Sequence, residues 1–311
     1  MSGTRARRID DLATRAVLPD TGAGLTRSAA RRVRRNPMFL TGAVLIGSFV
    51  LVALLAPWLA PHDPAARLLE HQVIQARDQI PPVQPGFPLG GDADGRDLFS
   101  RMVLGSRQTL LVAVLATVIG LGGGLLLGTV AGALGGWIDS AVMRLVDVLL
   151  AIPSLLLAVS IGALFAQQGQ FTVILAVAIV QIPIFARLLR GSMLAQRASD
   201  HVLAARGIGV RPGAIVLRHM LPNSLGPVIV QSTLVLAIAI IEAASLSFLG
   251  LGAADDSVPE WGQMLGNAQD VIDSHPQLAF WPAGAIITVA LGFTLAGESL
   301  RDALDPRRSR E

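Results

Sequence analysis

The sequence predicts an all-α integral membrane protein with six transmembrane helices, and three observations carry that prediction. Of 311 residues, 52% are hydrophobic and 15% charged, which is too apolar and too sparsely charged for an ordinary soluble domain. Six stretches reach or approach the roughly 20 apolar residues that a helix needs to cross hydrocarbon. The arginines fall unevenly among the connections, as expected of loops on two sides of a bilayer.

The elements follow in order. A leader, 1–37, holds nine Arg before Pro37. The first span, 38–60, is too long and too far from the start to read as a signal peptide, so it is expected to stay in the mature protein. An extracytoplasmic segment is expected over 61–104. The second span, 109–135, carries Gly120, Gly124, Gly128, Gly132 and Gly136 at every fourth position. Such a stripe lets two backbones approach closely, and it fits packing within the chain as well as contact with a second subunit. The third span, 142–166, contains Arg144 and Asp147 three residues apart, a spacing that favours a local ion pair. The fourth, 171–188, is short and ends at Arg187 and Arg190. The fifth, 221–250, is longer than a straight crossing requires and contains Pro227, so it should tilt or kink. The sixth, 279–298, ends at Glu298, where an amphipathic tail over 301–311 begins.

Six Arg lie in 187–218 and four after Leu300, whereas 251–278 has none and carries Asp255, Asp256, Glu260, Asp270 and Asp273. Both termini and the 199–222 loop are therefore expected in the cytoplasm and the acidic segment outside. Trp58, Trp261 and Trp281 fall near predicted membrane edges and read as interfacial anchors. The leader is expected to contact anionic membrane lipid and not nucleic acid.

Several chemistries are excluded. There is no Cys, hence no disulfide or thiol catalysis. All 25 basic residues are Arg, and without Lys the chain cannot hold the phosphate loop that ends in Gly-Lys-Ser/Thr. ATP, if used, must be hydrolysed on another chain. The five His show no metal-ligand spacing. Among charged or polar residues inside the spans, each costly in hydrocarbon, Glu242 and Gln231 are the candidate path-lining positions. A structural hydrogen bond or a subunit interface remains open for Glu242.

The most informative segment is the polar interruption Leu203 to Pro222. It reads as two short helices: Asp200 suits a helix N-terminus, Gly207 or Gly209 can stop the first helix, and Pro212 can open the second. Small residues on one face, Ala204 and Ala205, would let the first helix enter a groove on a soluble partner.

This segment resembles the coupling loop of ABC importer permeases, whose pattern is E-A-A, three residues, G, nine residues, I-x-L-P. Ala204, Ala205, Gly209, Leu221 and Pro222 match, Leu203 stands where the family has Glu, and His219 stands where it has Ile. The His variant resembles the peptide and nickel branch. So do Pro88-Leu89-Gly90 with Asp92 and Gly95-Arg96-Asp97, Met143 to Asp147, Ile152-Pro153-Ser154, Ala244 to Gly252, Trp261-Gly262 and Leu300 to Pro306, together covering about 85–308.

The resemblance implies a type I ABC importer permease fold, with a transmembrane domain over 105–300 and ATPase coupling through Asp200, Leu203, Ala204, Ala205, Gly209, Leu221 and Pro222. It implies a non-catalytic subunit of the dipeptide, oligopeptide and nickel branch, the second or C-type permease, in the bacterial inner membrane. The implied partners are a homologous permease, two cytoplasmic ATPases that hold ATP and Mg, and an external solute-binding protein. No cofactor is expected on this chain. The expected substrate is a di- or oligopeptide, with nickel import as an alternative and a self-sufficient channel or secondary transporter as a reading from another class.

Overall fold

The computed structural model describes residues 33, 35–73, 79–165, 169–253, 255 and 257–304. Most of the Arg-rich leader, Asp256 and Pro306 lie outside the described residues.

Helix α1, Pro37–Leu59, starts on Asn36, whose side chain accepts the Met38 N–H while Pro37 occupies the first turn. Helix α2, Leu98–Leu134, starts on Asp97. Helices α3, Gly136–Ala151, and α4, Ser154–Leu164, follow, and then α5, Gln170–Arg197. The short α6, Asp200–Gly207, and α7, Pro212–Ile215, lead through a π-helical turn, Val216–Met220, into α8, Leu221–Phe248. The short α9, Trp261–Asn267, precedes α10, Gln277–Leu304. Among the described residues five helices are long and apolar enough to cross a membrane, or six spans if the bent pair α3–α4 counts as one.

That pair revises the third predicted span. The chain does not cross as one helix over 142–166; it turns through 98° between Ala151 and Ser154. Pro153 supplies no N–H and pushes Ile152 out of the helical region, to φ −87° and ψ 132°. The fourth span is longer than expected and the second begins at Leu98.

Glycine decides the central contact. Four members of the stripe face α5: a Cβ at Gly120 would lie 2.8 Å from Gln181 Cβ, one at Gly128 2.8 Å from the Ala186 carbonyl, and one at Gly132 3.0 Å from Met193 Cβ. Gly124 meets Phe185 Cβ more closely still. The stripe therefore packs within the chain. Gly136 does not belong to it: its φ is +57°, it begins α3, and nothing lies near its Cβ position. Because both residue numbers rise together along this seam, α2 and α5 run parallel, and α3–α4 must carry the chain back across the bilayer between them. Helix α10 packs antiparallel to α1, with Gly42 against Gly292 and Ala296.

The far end of the bundle from α6 is closed by a polar clasp around the α2 N-terminus. The buried Asp97 carboxylate accepts from Phe99 N, Ser100 N and Ser100 Oγ, and lies 3.0 Å from His62 Nδ1. Arg101, 1% exposed, pairs with Asp92 at 3.3 Å and donates to the Pro64 carbonyl. Gly95, φ +79°, lies against the backbone of Leu69 and Glu70 with no room for a side chain. Trp261 is also part of this end. It is 4% exposed, donates its indole N–H to the Met102 carbonyl at 2.9 Å and packs on Gly105. It is a packing residue, not an interfacial anchor.

Candidate coupling segment and translocation path

Helix α6 follows α5 after a two-residue bend, and Asp200 occupies its first turn. It ends as Gly209 takes φ +78°, a left-handed conformation that glycine adopts without strain, while Val210 N–H donates to the Ala205 carbonyl. Pro212 then opens α7. The second element is not a separate short helix. It runs on through the π turn, where Leu221 N–H reaches back five residues to the Val216 carbonyl, and continues as α8 with Pro222 in its first turn. Pro222 has no N–H to give Arg218, and the wider turn accommodates that gap.

The segment has an inner and an outer face. Val202, Ala205, Ile215 and Met220 are buried against Phe185, Leu189, Met193 and Val228. Leu203 is 51% and Ile208 81% exposed, and Ala204 and Gly207 are exposed beside them. Ala204 and Ala205 therefore do not share a docking face. Ala205 is 6% exposed and anchors α6 to the bundle, because consecutive positions on a helix are about 100° apart. Leu221 is half-buried and Pro222 exposed at the start of α8; their place is in the helix that carries α6, not on its outer face.

Two ion pairs tie α3 to α5 near the same end. Arg190 pairs with Asp139 through both Nε and Nη2, at 2.7 and 2.6 Å. Arg187 pairs with Asp147. Asp147 thus finds its partner across the bundle, not in Arg144 on its own helix. The two pairs follow in opposite order along the two helices, as expected where α3 runs antiparallel to α5.

The candidate path residues lie apart on α8. Gln231 is half-buried and lines a cleft of about 440 Å³ with Leu188, Pro227, Val230 and Arg301. Glu242, eleven residues on and so about 16 Å further along the axis, is 7% exposed. Ser154, the first residue of α4, lies beside its carboxyl, and its Oε2 has no hydrogen-bond partner among the described residues. Sequence reasoning singled out Glu242 but not Ser154, whose place in Ile152-Pro153-Ser154 at a helix start was the available clue. It also missed Glu260, 4% exposed, whose carboxylate accepts the Ser247 hydroxyl at 2.8 and 2.9 Å. Burial pushes the Glu260 carboxyl up to about 7, against the lowering effect of that hydrogen bond.

Residues 124–310 match the family described as binding-protein-dependent transport system inner membrane component, and residues 24–82 match the N-terminal transmembrane domain of oligopeptide transport permease C. The chain belongs to the binding-protein-dependent permease family. This permease is 41% identical over 286 residues to the dipeptide transport system permease protein DppC of Alkalihalophilus pseudofirmus, covering 90% of each chain. It is 40% identical to the probable D,D-dipeptide transport system permease protein DdpC of Escherichia coli K12, covering 88% of this chain and 89% of that one. The glutathione transport system permease protein GsiD of Shigella flexneri is 42% identical, with 89% of each chain covered. In structure the permease resembles a chain of the MetNI methionine ABC transporter in inward-facing conformations, with a TM-score of 0.54 at 19% identity, covering 66% of this chain and 96% of that one. That likeness bears on the fold alone. The permease is thus a multi-pass inner-membrane subunit of an ABC importer, non-catalytic itself, in a family that works with ATPase and binding-protein partners.

Proposed function

We propose that this permease imports di- or oligopeptides as part of a complex with a homologous second permease, two cytoplasmic ATPases that carry ATP and Mg, and an external solute-binding protein. The observation that carries the substrate class is its 40–42% identity, over about nine-tenths of its length, to permeases named for dipeptides, D,D-dipeptides and glutathione. The termini and α6 face the cytoplasm in this reading, because the arginines of 187–218 and Arg301 lie at that end of the bundle. This reading keeps, as a proposal, a transmembrane domain over 105–300 and a coupling loop over 199–222, although α2 itself begins at Leu98.

The packing supports a lever mechanism. ATP-driven closure of the ATPases displaces the 199–213 lever, which docks by Leu203, Ala204, Gly207 and Ile208. Its buried face transmits the movement to α5 and α8, and α8 bears Gln231 and Glu242 along the path.

The deciding experiment is copurification with the ATPases and second permease, followed by ATP-dependent uptake of a labelled dipeptide into proteoliposomes. Nickel uptake without peptide uptake would replace the substrate class and leave the permease role standing. Gly209→Leu should insert normally yet lower coupled uptake about tenfold or more, because a branched side chain resists φ +78° and re-aims α6. Uptake at the wild-type rate by that variant would remove the coupling role from this loop. A reporter fused near Arg211 should read cytoplasmic, and one near Ser257 external.

A further inference from the structure

We propose that the cleft between α5, α8 and α10 is a site for an anionic membrane phospholipid, with Arg301 holding its phosphate.

The cleft is made by two helices that part. A Cβ at Gly297 of α10 would lie 2.6 Å from the Leu234 side chain and 2.8 Å from Thr233 Oγ1 of α8, so the two helices touch there. One turn further along α10, and correspondingly earlier in α8, they separate around a space of about 440 Å³ whose third wall is Leu188 of α5. That volume is in the range of sites that take small organic ligands. All three helices belong to segments long and apolar enough to span a membrane, so the cleft opens between spans. Its walls are mostly apolar, with Leu188, Pro227, Val230 and Leu304, and carry two polar side chains, Gln231 and Arg301.

Charge selects the occupant. Arg187 and Arg190 of α5 are neutralised by Asp147 and Asp139. Among the described residues Arg301 has no ion pair, and no carboxylate lines the cleft. An apolar cleft therefore carries one exposed, unmatched cation. Its guanidinium offers a fork of N–H donors that a phosphate meets bidentately. The Arg-rich leader is kept out by like charge. A zwitterionic dipeptide would bring an ammonium that finds no carboxylate among the lining residues. A phospholipid joins an oxyanion to hydrocarbon and so matches both properties of the cleft; basic pockets between transmembrane helices bind such headgroups. The charge is that of Arg301 alone, while Gln231 is a wall of the cleft and, in the reading above, of the path.

The test places photo-crosslinking p-benzoylphenylalanine at Leu304, 47% exposed, in the full complex, reconstituted into vesicles of equal parts phosphatidylglycerol and phosphatidylcholine with matched acyl chains. Adducts to phosphatidylglycerol should outnumber those to phosphatidylcholine about fivefold, the preference that one arginine near an anionic lipid supplies. The same probe at Leu291, 49% exposed and about 20 Å away along α10, should give a ratio near one. Arg301→Gln should bring the Leu304 ratio to the Leu291 value, and Arg144→Gln, which removes an exposed cation on α3 outside the cleft, should leave it unchanged. Equal ratios at the two probe positions, or a Leu304 ratio unchanged in Arg301→Gln, overturn the site. If Arg301→Gln does not assemble, the comparison of Leu304 with Leu291 decides alone. Loss of the lipid adducts on adding inorganic phosphate would make this a site for a soluble anion, and loss on adding a dipeptide would make it a substrate site; either result overturns the lipid assignment.

Discussion

Helix α5 is held by α2 through glycine and by α3 through charge. On one side Gly120, Gly124, Gly128 and Gly132 bring two parallel backbones together with no space to spare. On the other, only Val146 of α3 is buried, and the helix is fastened by Asp139–Arg190 and Asp147–Arg187. Close-packed backbones have one good register, because a gap of roughly 0.5–1 Å already forfeits a quarter to a half of each dispersion contact. Long side chains in an ion pair can follow a partner through several. The same helix thus has a fixed neighbour and a neighbour that can be re-aimed, and α6 is attached directly to its end.

The largest expected effect is at the fixed seam. Gly124→Leu places a branched side chain into Phe185 and the Ile182 carbonyl, and overpacking of this kind costs ~1–3 kcal/mol, toward the upper end where backbone cannot yield. The variant should give no monodisperse complex by size exclusion, whereas Gly122→Leu, where nothing lies near the Cβ position, should. Equal behaviour of the two would mean that the seam does not hold α2 to α5.

A smaller effect is expected at the ionic contact. Side-chain exposures of 32% for Arg190 and 15% for Asp139 place the pair near the surface, so removing it should cost only ~1 kcal/mol of stability. Arg190→Ala should nonetheless lower ATP-driven uptake about fivefold, by uncoupling α3 from α5. The exchange Asp139→Arg with Arg190→Asp should recover at least half of that loss. Failure of the exchange to recover any uptake would assign the effect to shape and not to charge.

The smallest effect concerns the outer cap. The Glu260 carboxyl is raised from 4.5 to about 7 in the folded chain, so between those values the folded state binds more protons than the unfolded one. Docking of α9 should therefore weaken as pH rises from about 5 through 7, and level off above. Hydrogen exchange over 261–267, corrected for intrinsic rates, should show a few-fold more opening at pH 8 than at pH 6. Glu260→Gln should flatten the profile; a persisting pH dependence would point to another group.

How much of this was legible depends on whether the determinant was local. The long apolar runs of α1, α2, α8 and α10 announce themselves by composition, and Gly209 and Pro212 mark their turn by backbone chemistry alone. The glycine stripe told of a close neighbour without naming α5, since its partner lies about 60 residues away. Pro153 was visible inside the third span, but a span of continuous hydropathy conceals a bend of 98°, because hydropathy reports burial in lipid and not direction. The orientation of Ala204 and Ala205 was misread for a related reason: both are small, and only the packing of Val202 and Ile215 shows which of them points inward. Asp147 was paired with Arg144 by sequence spacing, although the nearer cation is on another helix.

The π turn at Val216–Met220 preserves a phase. It holds one residue more than an α turn in the same stretch of axis, whereas each residue of an α-helix advances the azimuth by about 100°. Excising one residue there would restore an α turn and leave the heading of Leu203 and Ile208 nearly unchanged, while the same deletion further along α8 would swing them by about 100°. The wide turn is therefore a slack link, able to absorb one residue beside a proline without re-aiming the helix that precedes it.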